Sequence, residues 1–294
     1  MITLSMIEIR TLSNHRDVLG EGPQWLGGEQ GLQRVDIRGR RIHRHDPVTG
    51  TAASRALDDD VGFALPAVAG AVVAGVGRSL VRLAGWDGEP VRLWTVEPDR
   101  PHNRFNDAKA DAAGRIWAGT MSTRRTPGTA ALYRFDARGP ELAISGATIS
   151  NGLDWNADAD VLYYVDSTTQ RIDAIAFDLD RGLLGPRRRL VEIDPHDGLP
   201  DGLIVDAQGG IWVALFGGGR IRRYTPGGKL DEEIRLPVSC PTSMAFGGAG
   251  LDTLFVTSAR HLLSAGQART EPLAGAVLML EPGVCGRAPW SAAL

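Results

Sequence analysis

The chain alternates short apolar runs with small polar turns, which is the pattern of β-hairpins rather than of helices. No segment of about 10–15 residues carries apolar positions at a helical spacing. Apolar runs at 161–165 and 211–214 each follow a turn made of Asp, Asn, Ala, Gln and Gly residues. A tight turn of this composition between two apolar runs predicts a hairpin of two strands.

The hairpins recur at a nearly constant phase along the chain. The residues five positions before each turn opens are Glu21, Gly62, Asn106, Asn151, Asp201 and Thr242. They are separated by 41, 44, 45, 50 and 41 residues. Repeats of about 40–50 residues built from four short strands are typical of propeller blades.

Six such repeats fill residues 1–294 and leave no room for a second domain. The sequence therefore predicts a single all-β domain, a six-bladed β-propeller with four-stranded blades around a central channel. The alternative is a β-sandwich with hairpins at irregular spacing, which would not explain why six turns keep one phase.

Composition and charge exclude several classes of partner. Lys and Arg total 32 against 35 Asp and Glu, so the formal charge is −3. Because the chain has no excess of basic residues, we expect neither nucleic acid nor an anionic membrane as a partner. Cys240 and Cys285 are too few for disulfide bonds to stabilise a fold of this size. The first ten residues have neither the basic start nor the apolar stretch of a signal peptide. We expect a cytoplasmic protein that is a monomer or a weak homo-oligomer.

Four of the six phase residues are carboxylates or carboxamides: Glu21, Asn106, Asn151 and Asp201. The first strand of each propeller blade lines the channel, so equivalent positions converge on the axis. Oxygen atoms gathered in this way suit Ca²⁺, Mg²⁺ or Mn²⁺ and are tolerable for Zn²⁺. The alternative, which the pattern alone leaves open, is that they solvate a wet channel.

Six local segments carry a family resemblance in a fixed order. They are LGEGPQW (19–25), RFND (104–107), AGTM (118–121), SNGLD (150–154), PDGL (200–203) and PTSMAFG (241–247). Together they closely resemble the SMP-30/gluconolactonase/regucalcin family over nearly the whole chain. Members of this family mostly hydrolyse sugar lactones.

The resemblance implies that Glu21, Asn151 and Asp201 bind one divalent metal ion, and that Arg104 and Asn106 hold the oxygens of the substrate. Asp201 is the candidate general base, which accepts the proton of the attacking water. The implied substrate is a gluconolactone, or a pentono- or galactono-lactone, which is opened to the aldonic acid. The resemblance leaves the native ion open among Ca²⁺, Zn²⁺, Mn²⁺, Mg²⁺ and Fe²⁺.

Three features depart from the family pattern or compete with the predicted site. Arg124 stands where some relatives carry an acidic residue that contacts sugar hydroxyls, and we expect it on the loop surface. Arg34 replaces an apolar residue usual in its strand, and the sequence offers no reason for it. His43 and His45 could suggest a zinc pair, but we expect an exposed hairpin end.

Two other functions compete with lactone hydrolysis. One is hydrolysis of a different ester, such as a phosphotriester or an aryl lactone, in the same channel. The other is a propeller without catalysis that binds calcium or serves as an interaction scaffold. An interaction scaffold has no need of acidic and amide groups that converge on the axis. A Gly-x-Ser-x-Gly elbow is absent from the sequence, which argues against a serine hydrolase.

Overall fold

The computed structural model describes residues 7–28 and 31–294 and contains six four-stranded antiparallel sheets. The first strand, β1 (Arg10–Thr11), belongs to the last of these sheets. The first three blades, each written from its inner to its outer strand, are β2 (Gly20–Leu26), β3 (Gly31–Asp36), β4 (Arg41–His45) and β5 (Ala52–Ala56); β6 (Val61–Pro66), β7 (Val72–Val76), β8 (Ser79–Leu83) and β9 (Pro90–Thr95); and β10 (Asn103–Ala110), β11 (Ile116–Ser122), β12 (Ala130–Asp136) and β13 (Gly139–Ala147).

The remaining three blades repeat the same order. They are β14 (Ser150–Trp155), β15 (Val161–Asp166), β16 (Arg171–Asp178) and β17 (Leu183–Glu192); β18 (Leu199–Val205), β19 (Ile211–Phe216), β20 (Arg220–Tyr224) and β21 (Leu230–Arg235); and β22 (Pro241–Gly247), β23 (Thr253–Ser258), β24 (Leu278–Leu280) and β1. The predicted six-bladed β-propeller is confirmed. That residues 1–294 form one domain stays a prediction.

The six inner strands form a closed ring. Each of them contacts the inner strand of the next blade, and β22 contacts β2. The ring is completed at the edge of the last blade, where β1 pairs antiparallel with β24. The segment between β1 and β2 therefore joins the last blade to the first, and it holds the two ends of the ring together.

A β-bulge lies at the phase position of every inner strand. The register shifts fall between Glu21 and Gln24, Val61 and Phe63, Phe105 and Ala108, Ser150 and Leu153, Pro200 and Leu203, and Pro241 and Met244. A bulge bends its strand and changes the direction of the side chains within it. The common phase in the sequence is thus the common position of these bulges.

Aspartates that open the hairpin turns also anchor the blade cores. Asp111 accepts hydrogen bonds from the backbone N–H groups of Ala113 and Arg115 and from the indole N–H of Trp117, at 2.9–3.0 Å. Asp206 forms the corresponding bond to the indole of Trp212 at 2.9 Å. Both indoles are fully buried. An Asp side chain that satisfies its own turn and a buried indole explains why this residue type opens these turns.

The apolar core lies between neighbouring blades rather than at one centre. One cluster joins Trp117 of the third blade to Trp155 and Tyr164 of the fourth. The rings of Trp117 and Trp155 meet edge to face, with their centroids 6.1 Å apart. Such packing fixes the angle between blades, and hence the positions of the inner strands that surround the channel.

The structure contradicts the expectation that His43 and His45 lie at an exposed hairpin end. Only 5% of His43 and 7% of His45 are exposed. His43 is covered by the segment before β2, since its ring packs against that of His15 with the centroids 4.6 Å apart. His43 pairs across the sheet with Arg34, whose side chain binds both carboxylate oxygens of Asp17, at 2.7 and 3.3 Å. This buried ion pair accounts for Arg34. Burial and the positive charge of Arg34 lower the pKa of His43 to about 4, so this imidazole is neutral at neutral pH.

Helical structure in residues 7–28 and 31–294 consists of α1 (Ala265–Thr270) and three short 3₁₀ turns. Ser264 caps α1 by accepting a hydrogen bond from the backbone N–H of Gln267. None of these helices is long or apolar enough to cross a lipid bilayer.

Candidate active site

The five residues predicted for the site line one cavity in the channel, near the start of the inner strands. Its lining includes Glu21 from β2, Arg104 and Asn106 from β10, Asn151 from β14 and Asp201 from β18. The bulges place these side chains together although they lie up to 180 positions apart in the sequence. The structure thus brings together every predicted site residue.

The other two phase positions serve the ring itself. Gly62 lies against the backbone of Phe105 in the next blade, where a Cβ atom would collide with the carbonyl group. Thr242 donates a hydrogen bond to the carbonyl oxygen of Gly20, which links β22 to β2. Four phase positions therefore supply polar groups to the cavity, and two hold neighbouring inner strands close together.

Asn151 presents an oxygen that lacks a partner. Its amide Nδ2 donates to the hydroxyl of Ser167 at 3.0 Å, which fixes the orientation of the side chain. Its Oδ1 is buried and accepts no hydrogen bond from the described residues. An unpaired buried acceptor costs about 1–3 kcal/mol, so this oxygen indicates a ligand that binds in the cavity.

The carboxyl groups of the cavity repel each other. Burial raises the pKa of Glu21 well above its ordinary value, and the negative charges of Asp201 and Asp107 raise it further. Burial and Asp107 likewise raise the pKa of Asp201, against the opposing effects of Asn151 and Arg104. Two buried carboxyl groups beside an unpaired amide oxygen are a donor set that suits a hard divalent cation. The residues present therefore fit one such ion.

Arg104 is held rigidly at the wall of the cavity. Its Nη1 atom donates to the carbonyl oxygen of Phe105 and to Oδ1 of Asn106, both at 2.8 Å. Asn106 in turn donates from Nδ2 to the carbonyl oxygen of Ser150 at 3.1 Å. Burial lowers the pKa of Arg104 to about 10, so the guanidinium keeps its charge at neutral pH. Its buried Nε forms no hydrogen bond among the described residues and lies 3.6 Å from a carboxylate oxygen of Asp60, with which it forms an ion pair.

Sequence reasoning missed several residues that shape this cavity. Asp107 follows Asn106 directly, and burial raises the pKa of this carboxyl to about 6. Ser167, Arg125 and His261 line the cavity from loops outside the inner strands. The RFND segment carried the signal for Asp107. The loop residues left no periodic signal, because their positions depend on where each loop folds back.

The loop after β11 places its two arginines differently. Arg124 is exposed and does not line the cavity, as expected for loop surface. Arg125, the next residue, lines the cavity and has a backbone φ of 53°. This left-handed backbone conformation at Arg125 changes the direction of the chain, so that the side chains of Arg124 and Arg125 point to different places. The positive charge at the cavity mouth therefore belongs to Arg125.

The fold and the cavity define a class: a six-bladed propeller whose inner strands surround a polar site that contains two carboxylates and an arginine. Comparison with known proteins gives the family. Residues 19–260 match the model described as "SMP-30/Gluconolactonase/LRE-like region", and the chain belongs to this family.

Similar proteins extend over almost the full length of the chain. Regucalcin of Oryctolagus cuniculus is 35% identical over 296 residues, which covers 98% of this chain and 99% of the relative. A solved luciferin-regenerating enzyme is 31% identical with a TM-score of 0.92, covering 98% of this chain and 100% of that one. Regucalcin from Agrobacterium tumefaciens strain C58, described as a calcium-binding protein, is 25% identical with a TM-score of 0.94, and the match covers 98% of each chain.

Proposed function

We propose that this protein is a metal-dependent lactonase that hydrolyses a sugar lactone to the corresponding aldonic acid. The observation that carries the proposal is the cavity in which oxygen donors from four different blades meet, with Oδ1 of Asn151 buried and unpaired within the described structure. Membership of a family whose description includes gluconolactonase supports the class of substrate. The two free cysteines, Cys240 and Cys285, agree with the further proposal of a cytoplasmic location.

Glu21, Asn151 and Asp201 are the residues that would hold one divalent ion. Such an ion, when bound, stabilises the negative charge that develops on the lactone carbonyl oxygen. Asp201 then acts as the general base: it takes a proton from the water whose oxygen bonds to the carbonyl carbon. Burial and Asp107 raise the pKa of Asp201, and the positive charges of Arg104 and of a bound cation would oppose this shift and favour the carboxylate.

Arg104 and Asn106 orient the substrate in this proposal. The guanidinium of Arg104 is anchored by Phe105 and Asn106, and its remaining N–H groups can donate to hydroxyl or ring oxygens of the lactone. A group held in place before the substrate binds loses little entropy when it does so. When the ring C–O bond breaks, the released oxygen takes up a proton and becomes a hydroxyl of the aldonic acid.

Proton release from lactones tests the function directly. Glucono-1,5-lactone and a galactono- or arabino-1,4-lactone should be hydrolysed, and EDTA should lower the rate at least about tenfold, since a bound ion commonly supplies several kcal/mol of transition-state stabilisation. Mn²⁺, Zn²⁺, Ca²⁺ or Fe²⁺ should restore the rate. If no lactone is hydrolysed faster than it is without the protein, the enzyme proposal is wrong.

The second candidate is a calcium-binding propeller without catalysis. The description of the Agrobacterium tumefaciens relative as a calcium-binding protein favours it. Calcium would then bind to the protein, while sugar lactones, phosphotriesters and aryl lactones all remained unhydrolysed. The same proton-release assay, combined with a Ca²⁺ titration, separates the two candidates.

Arg125 provides a prediction about substrate charge. Its exposed guanidinium lines the cavity mouth, and a hydrogen bond to a charged group is worth about 1.5–3 kcal/mol. For a lactone that carries a carboxylate, Arg125→Gln should therefore lower kcat/KM by about tenfold or more relative to an uncharged lactone. Arg124→Gln is the matched control and should leave this ratio unchanged. Equal ratios in both variants would contradict the assignment.

A further inference from the structure

A second group of metal-binding side chains lies at the first blade, outside the axial cavity. It consists of His15 and Asp17, from the segment between β1 and β2, and His43 on β4. The Nε2 atom of His15 lies 2.9 Å from Oδ1 of Asp17, and the Nε2 atom of His43 lies 3.4 Å from the same oxygen. All three atoms lie within 4.8 Å of one another. None of these residues lines the axial cavity.

His43 supplies an independent sign of a ligand. Its side chain is only 7% exposed, and its buried Nε2 forms no hydrogen bond with any residue in the described part of the chain. Buried polar atoms nearly always have a partner. The unpaired nitrogen points toward the oxygen of Asp17, beside the nitrogen of His15.

Arg34 binds Oδ2 of Asp17 more closely than Oδ1. Its Nε atom donates to Oδ2 at 2.7 Å, whereas its Nη2 atom donates a longer hydrogen bond to Oδ1, at 3.3 Å. Oδ1 is thus the oxygen that faces both imidazoles. A cation that holds the far oxygen of a metal-binding carboxylate orients it, as hydrogen-bond partners commonly do for metal ligands. The site is also accessible, because the side chain of His15 is 46% exposed and borders an open cavity.

We propose that His15, Asp17 and His43 form a binding site for a transition-metal ion of the Zn²⁺ class. Two imidazole nitrogens and one carboxylate oxygen are a ligand set of borderline softness, and a water molecule completes the fourth position. The three proposed ligands in the axial cavity, Glu21, Asn151 and Asp201, supply oxygen atoms and favour harder ions. The protein would then carry two sites that differ in the metals they prefer.

The position of this site gives it a structural role. Asp17 donates its backbone N–H to the carbonyl oxygen of Gly275, which precedes β24 in the last blade. An ion bound by Asp17, His15 and His43 would therefore connect the segment that closes the ring to a strand of the first blade. Because an ion that binds only the folded state stabilises it, Zn²⁺ should raise the melting temperature through this site.

Zn²⁺ titration of the full chain tests the proposal, after removal of bound metal with EDTA and of the EDTA by dialysis. Isothermal titration calorimetry should show that His15→Gln and His43→Gln each bind one equivalent less Zn²⁺ than the wild type. His45→Gln is the matched control, since His45 is similarly buried on the same strand and borders the same cavity but is outside the ligand group. It should bind as much Zn²⁺ as the wild type.

Visible absorption of bound Co²⁺ provides the second readout. The wild type and His45→Gln should show the intense bands of a four-coordinate site, and His15→Gln should lose them. His15→Gln keeps the test independent of folding, because its side chain is partly exposed. If His15→Gln and His43→Gln bind as much Zn²⁺ as the wild type and keep the same Co²⁺ spectrum, the proposal is wrong. Neither measurement depends on lactone hydrolysis, so the proposed function is tested separately.

Discussion

Asp201→Asn should lower kcat for lactone hydrolysis about 10²–10⁴-fold, which is the usual loss when a positioned general base is removed. Asn has nearly the shape of Asp but cannot accept the proton of the attacking water. The substitution also removes a buried negative charge that the neighbouring carboxyl groups oppose. We therefore expect the melting temperature to stay the same or to rise, so that unfolding cannot account for the lost activity.

Single-turnover and steady-state kinetics, with circular dichroism for folding, provide the measurements. Asp158→Asn, at an exposed turn, is the matched control and should keep the wild-type kcat. Glu21 and Asn151 remain in the Asp201→Asn variant, so much of the metal binding should persist. Hydrolysis of lactones by Asp201→Asn at the wild-type rate would show that the base is another group.

Arg34→Met should destabilise the protein by about 3–5 kcal/mol, the usual cost of removing one partner from a buried ion pair. The side chains of Arg34 and Asp17 are only 4% and 1% exposed. Without Arg34, the carboxylate of Asp17 would lie buried in the segment that connects the last blade to the first. Met has a similar volume, so the loss of charge rather than a cavity dominates the effect.

Urea unfolding in the presence of EDTA measures this change without any contribution from bound metal. Arg138→Met removes a partner from an ion pair with Asp136 in which the arginine is 81% exposed, and it should cost much less stability than Arg34→Met, because water screens an exposed pair. Arg34→Met combined with Asp17→Leu should recover part of the stability, because both charges are then absent. A loss in Arg34→Met no larger than that in Arg138→Met would contradict the role of this ion pair.

The number and order of the blades could be predicted because the same local structure, a hairpin that follows a bulged inner strand, recurs from blade to blade. Every inner strand carries a β-bulge at its phase position. Three of the turns also open with a side chain that accepts backbone hydrogen bonds of that turn, namely Asp111, Asn156 and Asp206. These features recur every 41–50 residues, so they are visible in one sequence. The candidate site could be located for the same reason, since its residues occupy the phase positions themselves.

Contacts that do not repeat could not be predicted. The burial of His43 depends on Asp17, a residue 26 positions earlier whose segment packs over the first blade. Arg34 looked anomalous because its partner lies in that same segment. Arg125 rather than Arg124 lines the cavity because of one left-handed residue in a loop. The first two depend on a tertiary contact with Asp17 and the third on the conformation of one loop residue, and neither leaves a periodic trace in the sequence.

Anomalous diffraction from crystals grown with Mn²⁺ tests most directly whether the inner strands gather their oxygen atoms around one ion. Data collected near the manganese absorption edge locate the ion independently of any assumption about its ligands. We predict one strong peak in the axial cavity, bounded by side-chain oxygens of Glu21, Asn151 and Asp201. An occupied manganese site elsewhere, with no peak among these three residues, would contradict the account.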